Sequence, residues 1–211
     1  MNSSSNHVPV PGTLWIVSAP SGAGKTSLIH QLLTMVDRIK VSVSHTTRLP
    51  RVGEEPGVHY HFVDQTTFEQ FVESKQFLEW ALVFGRSYGT SQKEVDVALQ
   101  QGQDVILEID WQGAQQVMQT RPNAQSIFIF PPSIDALRNR LITRGKDTPE
   151  VIDRRLSEAR FEMSHSDRYQ YWVVNDQFDE CLMTLISIIR ANRYRQSIMK
   201  LRQPDLIEYL Q

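Results

Sequence analysis

The chain is short of several things, and each shortage excludes a class of protein. Cys181 is the single cysteine among 211 residues, so no intrachain disulfide can form and a reducing compartment is the natural setting. No apolar run is long enough to span a bilayer. The stretch from Met1 to Gly12 is polar and proline-bearing, with neither the basic start nor the apolar centre of a signal peptide. A cytoplasmic protein with no membrane partner is therefore expected, with a flexible N-terminus over residues 1–12. An excess of charge of either sign is also missing: 22 basic against 24 acidic residues leave a formal charge of −2, which provides no net basic field for nucleic acid. No internal repeat is found. The length suits one well-cored domain over 1–211 rather than two.

What is present begins with Ala19-Pro20-Ser21-Gly22-Ala23-Gly24-Lys25-Thr26. The apolar run Leu14-Trp15-Ile16-Val17 precedes it, and Leu28, Ile29, Leu32, Leu33 and Val36 follow at helical spacing. Strand, glycine-bearing turn and helix form the context of a phosphate-binding loop. Gly22 and Gly24 let the backbone turn its N–H groups inward at the positive end of a helix. Lys25 can then reach β- and γ-phosphates, and the Thr26 hydroxyl can ligate Mg²⁺. Ala19 replaces the first glycine of the strict pattern, a position that accepts a small residue.

The rest of the chain alternates strands with helices. Lys40 to Ser44 reads as a half-buried strand, and an irregular stretch carries Pro50, Gly53, Pro56 and Gly57. Thr66 or Thr67 is expected to cap a short helix, and Ser91 with Glu94 has capping-box spacing. Val105–Asp110, Ile127–Phe130 and Tyr171–Val174 read as buried strands. Helices are expected over Ile134–Thr143, Pro149–His165 and Asp179–Met199. This pattern predicts an α/β fold, a mostly parallel sheet with helices on both faces.

Two arginines, Arg48 and Arg51, stand three apart in a Pro/Gly-bearing segment followed by Tyr60. Guanidinium forks match phosphate oxygens bidentately, so this is a second potential phosphate site. Further on, Glu79 lies in an apolar setting and Tyr88-Gly89-Thr90 supplies a phenol and a hydroxyl. Guanine offers N1–H and its 2-amino group as adjacent donors to one carboxylate, whereas adenine would face it with a lone pair. His45, His59 and His61 suggest a metal site, but no Cys or acidic ligand completes the set, and packing on a strand face is the favoured reading. Arg190, Arg193, Arg195, Lys200 and Arg202 read as a solvated helix face.

The segments Ser-Ala-Pro-Ser-Gly-Ala-Gly-Lys-Thr, Thr-Thr-Arg-Leu-Pro-Arg-Val-Gly-Glu, Phe-Leu-Glu-Trp-Ala, Tyr-Gly-Thr, Leu-Glu-Ile-Asp-Trp-Gln-Gly-Ala and Val-Val-Asn-Asp occur in this order. Together they resemble the guanylate kinase family, its bacterial members most closely, over about Gly12 to Arg195. The resemblance implies a parallel-sheet kinase core with an inserted GMP-binding segment and a small helical lid. The corresponding ranges are core with phosphate loop 13–42, GMP-binding segment 43–95, core 96–136, lid region 137–165, and core with C-terminal helix 166–211. It implies transfer of the γ-phosphoryl group of ATP to GMP, with dGMP as a second acceptor, and a role in purine nucleotide metabolism and GMP recycling.

By the same resemblance Arg48, Arg51, Tyr60 and Tyr88 hold the GMP phosphate. Guanine contacts fall on Ser44, Glu79, Thr90 and Asp110, with Glu54 and Glu108 nearby. Residues 19–26 hold ATP, Lys25 among them, and Asn175 falls where the family contacts adenine. Arg140, Arg144 and Arg155 match lid arginines, and Thr26 binds Mg²⁺ with the phosphates and waters. Arg86-Ser87 departs from the Asn-Tyr often found before the retained tyrosine. Homo-oligomer formation is left open by the sequence. Two other readings are a non-catalytic kinase-like interaction module, whose loop is usually degraded whereas Gly24, Lys25 and Thr26 are intact here, and a different P-loop small-molecule kinase, which would lack the combined Arg48, Arg51, Tyr60, Glu79 and Tyr88 set.

Overall fold

The computed structural model describes residues 10–83, 85–143, 145 and 148–204. Most of the N-terminal segment expected to be flexible, residues 1–9, lies outside them, as does Arg144. Strands β1 (Leu14–Ser18), β2 (Ile39–Val41), β7 (Asp104–Glu108), β8 (Gln125–Phe130) and β9 (Tyr171–Val174) form a five-stranded sheet in the order β2-β7-β1-β8-β9. Every pairing in it is parallel. A strand buried on both faces reads as a continuous apolar run, and β1 shows how that run divides. Trp15 and Val17 pack with α1 (Lys25–Met35) and α7 (Phe178–Asn192) on one face. Leu14 and Ile16 pack with α3 (Gln92–Gln100) and α4 (Trp111–Thr120) on the other.

A second, mixed sheet lies between α1 and α3 in sequence. Strands β3 (His45–Thr46), β4 (His61–Phe62), β5 (Phe77–Val83) and β6 (Arg86–Ser91) run in the order β4-β3-β6-β5. Its β5 edge is tied to the core by Gln116 of α4, which donates to the Trp80 carbonyl at 2.7 Å and accepts the Trp80 N–H at 3.2 Å. That pairing occupies main-chain groups an edge strand otherwise leaves open. Helices α5 (Ile134–Thr143) and α6 (Pro149–Met163) share a small apolar core of Leu137, Leu141, Ile152, Leu156 and Ala159. It packs beside the phosphate loop.

Several elements differ from the sequence expectation. The second strand stops at Val41. Helix α2 (Gln65–Glu73) is capped by Asp64, whose carboxylate accepts the Thr67 N–H at 2.7 Å, so the cap is not Thr66 or Thr67. Ser91 does cap α3, accepting the Glu94 N–H. The helix expected to reach His165 ends at Met163, followed by a single 3₁₀ turn at Ser166–Arg168. Residues expected to form one helix over 179–199 form α7 and then α8 (Gln196–Arg202). The break has a tertiary cause. Asn192 donates to the Thr13 hydroxyl at 3.0 Å, Arg193 grips buried Asp104 through Nε and Nη2 at 2.8 Å each, and Arg195 reaches Gln125 at 3.0 Å. Arg193 and Arg195 are thus anchors of the C-terminal helices, not part of a solvated face.

Asp104 is 2 % exposed and also accepts the Thr13 N–H at 2.7 Å. Removing it strands a guanidinium and an amide together, and breaking a buried pair from one side costs about 3–5 kcal/mol. Asp104→Ala is expected to lose that much in denaturant-induced unfolding, with Asp104→Asn losing less.

Candidate active site

The carboxyl ends of β1 and β7 stand side by side, joined by the Ser18 hydroxyl donating to the Ile109 carbonyl at 2.8 Å. Chain leaving the ends of parallel strands builds the crevice where ligands bind in such sheets. Here it is a cleft of about 880 Å³, lined by the phosphate loop, both sheets and helices α5 and α6. Gly22 and Gly24 both have φ +94°, a left-handed conformation that other residues adopt only with strain. Gly24 is the N-cap of α1, which has no side-chain cap hydrogen bond, so the first N–H groups of that helix are open to an anion.

Lys25 and Thr26 open α1 into the cleft. Glu108, at the end of β7, accepts the Thr26 hydroxyl at 2.5 Å and lies 3.8 Å from the Lys25 Nζ. The structure therefore sets Glu108 against the phosphate loop, in the same cleft as Ser44 and Glu79. Asp110 lines the cleft but is the N-cap of α4 rather than a strand residue. Its Oδ1 accepts the Gly113 N–H at 3.0 Å and its Oδ2 accepts from Gln112 at 2.9 Å.

The arginine–tyrosine group faces the loop across the cleft. Arg48 forms a bidentate pair with Glu54, at 2.8 and 2.9 Å, and Glu54 also accepts the Arg51 N–H at 2.7 Å. Hydrogen bonding from Arg48 holds the Glu54 carboxyl down at about 2, and the same bond raises the Arg48 pKa further. Glu54 thus belongs with the phosphate arginines. The Arg48 guanidinium lies 5.3 Å from the Tyr60 ring, and Tyr60 meets Tyr88 edge-on at 5.9 Å. Burial raises the Tyr60 phenol above its ordinary range.

Deeper in, Glu79 is 4 % exposed and accepts the Thr90 hydroxyl at 2.5 Å. Burial pushes its carboxyl up to about 7, against the pull of that hydrogen bond. A Cβ placed on Gly113 would sit 2.2 Å from the Glu79 Oε2, so the first turn of α4 admits Glu79 because residue 113 has no side chain. Ser44 lines the same cleft, while Thr90 reaches it only through Glu79.

On the lid side, Arg140 and Arg155 line the cleft. Two residues expected at the donor nucleotide do not face it. Ala23 is fully buried, and Asn175 is 4 % exposed with its amide donating to the Ala23 carbonyl at 2.7 Å. The Asn175 amide N–H is turned onto the loop backbone, at the position where the resemblance implies an adenine contact. Ser87, at the Arg86-Ser87 departure, is buried and donates its N–H to the Thr47 hydroxyl at 3.0 Å, leaving Tyr88 in the cleft. His45 packs against His61 at 4.6 Å and edge-on to Phe71 and Phe77, and burial lowers its pKa. Among the described residues no three His, Cys, Asp or Glu side chains gather as a metal group.

Sequence reasoning missed Glu162, Asn139 and Thr143, which also line the cleft. Glu162 has its carboxyl raised to about 7 by burial, with Lys25 drawing it down. Its position near the end of a helix left no local signal. Such a signal did exist for Gly113, a glycine amid otherwise helical residues that marks a close approach.

Comparison with known proteins places these residues in context. A family model described as guanylate kinase matches residues 12–192. The guanylate kinase of Alkalilimnicola ehrlichii is 56 % identical, covering 95 % of this chain and 98 % of its own. That of Methylobacillus flagellatus is 52 % identical, covering 94 % and 98 %. The crystal structure of guanylate kinase from Anaplasma phagocytophilum superposes with a TM-score of 0.76 at 33 % identity, covering 92 % of this chain and 94 % of the other.

The Gly113 contact carries its own test. Gly113→Ala should leave the melting temperature unchanged or raised, since alanine favours the helix by about 1 kcal/mol, yet displace Glu79. GMP affinity measured by calorimetry should fall about tenfold or more, the cost of an unpaired buried group. Unchanged GMP affinity would remove Glu79 from the residues expected to contact guanine.

Proposed function

Since the chain belongs to the guanylate kinase family, we propose that it transfers the γ-phosphoryl group of ATP to GMP, giving ADP and GDP, with dGMP as a second acceptor. One observation carries the reading: a phosphate loop and an arginine–tyrosine phosphate site face each other across a cleft that also holds a buried, cation-free carboxylate at Glu79. A second phosphate site fits an acceptor that is itself a phosphate, and Glu79 fits a base with two adjacent donors.

Phosphoryl transfer needs two anions brought into line and their repulsion neutralised, with no protein nucleophile. Loop N–H groups and Lys25 hold the donor phosphates. Arg48 and Arg51 orient the acceptor phosphate, with Arg48 exchanging Glu54 for it, while Tyr60 and Tyr88 flank it. Arg140 and Arg155 bring positive charge to the transferring group from the lid side, and Arg144 is assigned the same role by its place in the family motif. Glu79 accepts from guanine, with Thr90 and Ser44 beside it. Closure of the 43–95 segment and the 137–165 lid excludes water, which would otherwise compete as acceptor.

The Thr26 hydroxyl, beside Glu108 at the head of α1, is a hard oxygen donor of the kind Mg²⁺ takes together with phosphate oxygens and waters. We assign Thr26 to hold that ion. When bound there, Mg²⁺ would supply Lewis-acid stabilisation of charge on the phosphates. No described helix is long and apolar enough to cross a membrane. The lone Cys181 is buried and free, in keeping with a reducing, cytoplasmic setting.

The direct test is ADP release with ATP, Mg²⁺ and each of GMP, AMP, CMP and UMP. Release is expected with GMP alone; release with another monophosphate would move the specificity, and none in folded protein would favour the interaction-module reading. Lys25→Ala is expected to abolish transfer with the fold kept, and near-normal turnover would overturn the mechanism. Guanine requires Glu79 as carboxylate, whereas at low pH the empty site holds it neutral. GMP affinity should therefore rise about tenfold between pH 6 and pH 8 beyond the change in Glu79→Gln, following a carboxyl near 7. Parallel profiles in the two proteins would rule out that role.

A further inference from the structure

Asn175 follows the last residue of β9, and each of its polar main-chain groups is committed. Its N–H continues the sheet ladder by donating to the Phe130 carbonyl at 2.8 Å. Its carbonyl accepts Arg140 Nη2 at 2.8 Å. Its side-chain Nδ2 donates to the Ala23 carbonyl at 2.7 Å, the same oxygen that Arg140 Nη1 reaches at 3.4 Å. The amide lies hard against the loop: a Cβ on Gly24 would stand 2.5 Å from Nδ2.

We infer that Asn175 is a positioning residue for the donor phosphates: through its main chain and Nδ2 it clamps the phosphate loop to the edge of the sheet and to lid helix α5, an effect felt by any nucleoside triphosphate alike. The loop turns its N–H groups toward the phosphate, so its carbonyls must point away and find donors elsewhere. Ala23 is the residue between the two left-handed glycines. Fixing its carbonyl fixes the peptide plane shared with Gly24, whose N–H lies in that plane and points the opposite way. Arg140 closes the same ring of contacts from α5, meeting the loop at the Ala23 carbonyl and Asn175 at its own carbonyl. The arrangement requires an amide: aspartate has no donor for Ala23 and would bring a negative charge toward its carbonyl.

This inference rests on the loop being the donor site of the proposed kinase, and the test separates the two. Calorimetry without acceptor gives the affinities of wild type, Asn175→Asp and Asn175→Ala for Mg²⁺–ATP, Mg²⁺–UTP and GMP, alongside thermal melting. Both triphosphates are expected to weaken by the same factor, about tenfold for loss of a buried hydrogen bond, with GMP within twofold of wild type. Loss confined to ATP would assign Asn175 to adenine and overturn the inference. So would unchanged affinity for both triphosphates, or a fall in GMP affinity and melting temperature alongside theirs, which would mark a merely structural residue. Failure of the wild type to turn over ATP with GMP would sink the kinase reading, yet leave the triphosphate comparison intact.

Discussion

A protein that binds several phosphates must gather cations closely while nothing is bound, and their mutual repulsion constrains the rest of the site. Here carboxylates hold those places. Glu54 takes Arg48 bidentately, and Glu108 stands by Lys25 and Thr26. Binding is then an exchange of one anion for another, so affinity is a difference between two pairings rather than the full strength of either. The exchange also keeps the guanidinium in its working orientation, because the planar fork of Arg48 meets a carboxylate in the geometry it uses for a phosphate.

Glu54 and Glu79 show how environment divides the work of identical groups. One has a guanidinium and a main-chain N–H, and its carboxyl falls to about 2. The other has a single hydroxyl in a dry pocket and rises to about 7. A buried carboxylate without a cation is costly, and on the proposed reading that unmet demand is what would make Glu79 discriminating. Two donors from the right base meet the demand, whereas a base presenting a lone pair adds to it.

Elements with local signals were legible in the sequence. The phosphate loop, the Ser91 cap and the span Ile134–Thr143 depend on neighbours within a few positions, and each was read where it lies. Elements whose cause is distant were not. Helix α4 is rich in glutamine and interrupted by Gly113, and its glycine makes sense only beside Glu79 of the other sheet. The β5–β6 hairpin is a pairing settled by cross-strand partners. Arg193 looked solvated because Asp104, its partner, lies 89 positions away. In the site the residue types were legible but their contacts were not: Glu54 meets Arg48, Glu108 meets Thr26 and Lys25, and the Asn175 amide meets the loop. Which carboxylate meets which cation depends on how strand ends meet in space.

That meeting follows from the strand order. With β7 and β8 flanking β1 and β9 beyond β8, the carboxyl ends deliver Glu108 and Asp110 to one side of the loop and Asn175 to the other. The same edge ties in the second sheet, because Asp110 starts α4, Gly113 of α4 admits Glu79, and Gln116 of α4 holds the Trp80 backbone. The surroundings of Glu79, the base pocket of the proposed reading, are therefore built against the core. Arg48, Arg51 and Tyr60 belong instead to the irregular chain between β3 and β4, and Arg140 and Arg155 to the lid helices. On the proposed reading, base recognition thus sits on the seam between α4 and the second sheet, and the charges that converge during transfer sit on the irregular chain and the lid helices.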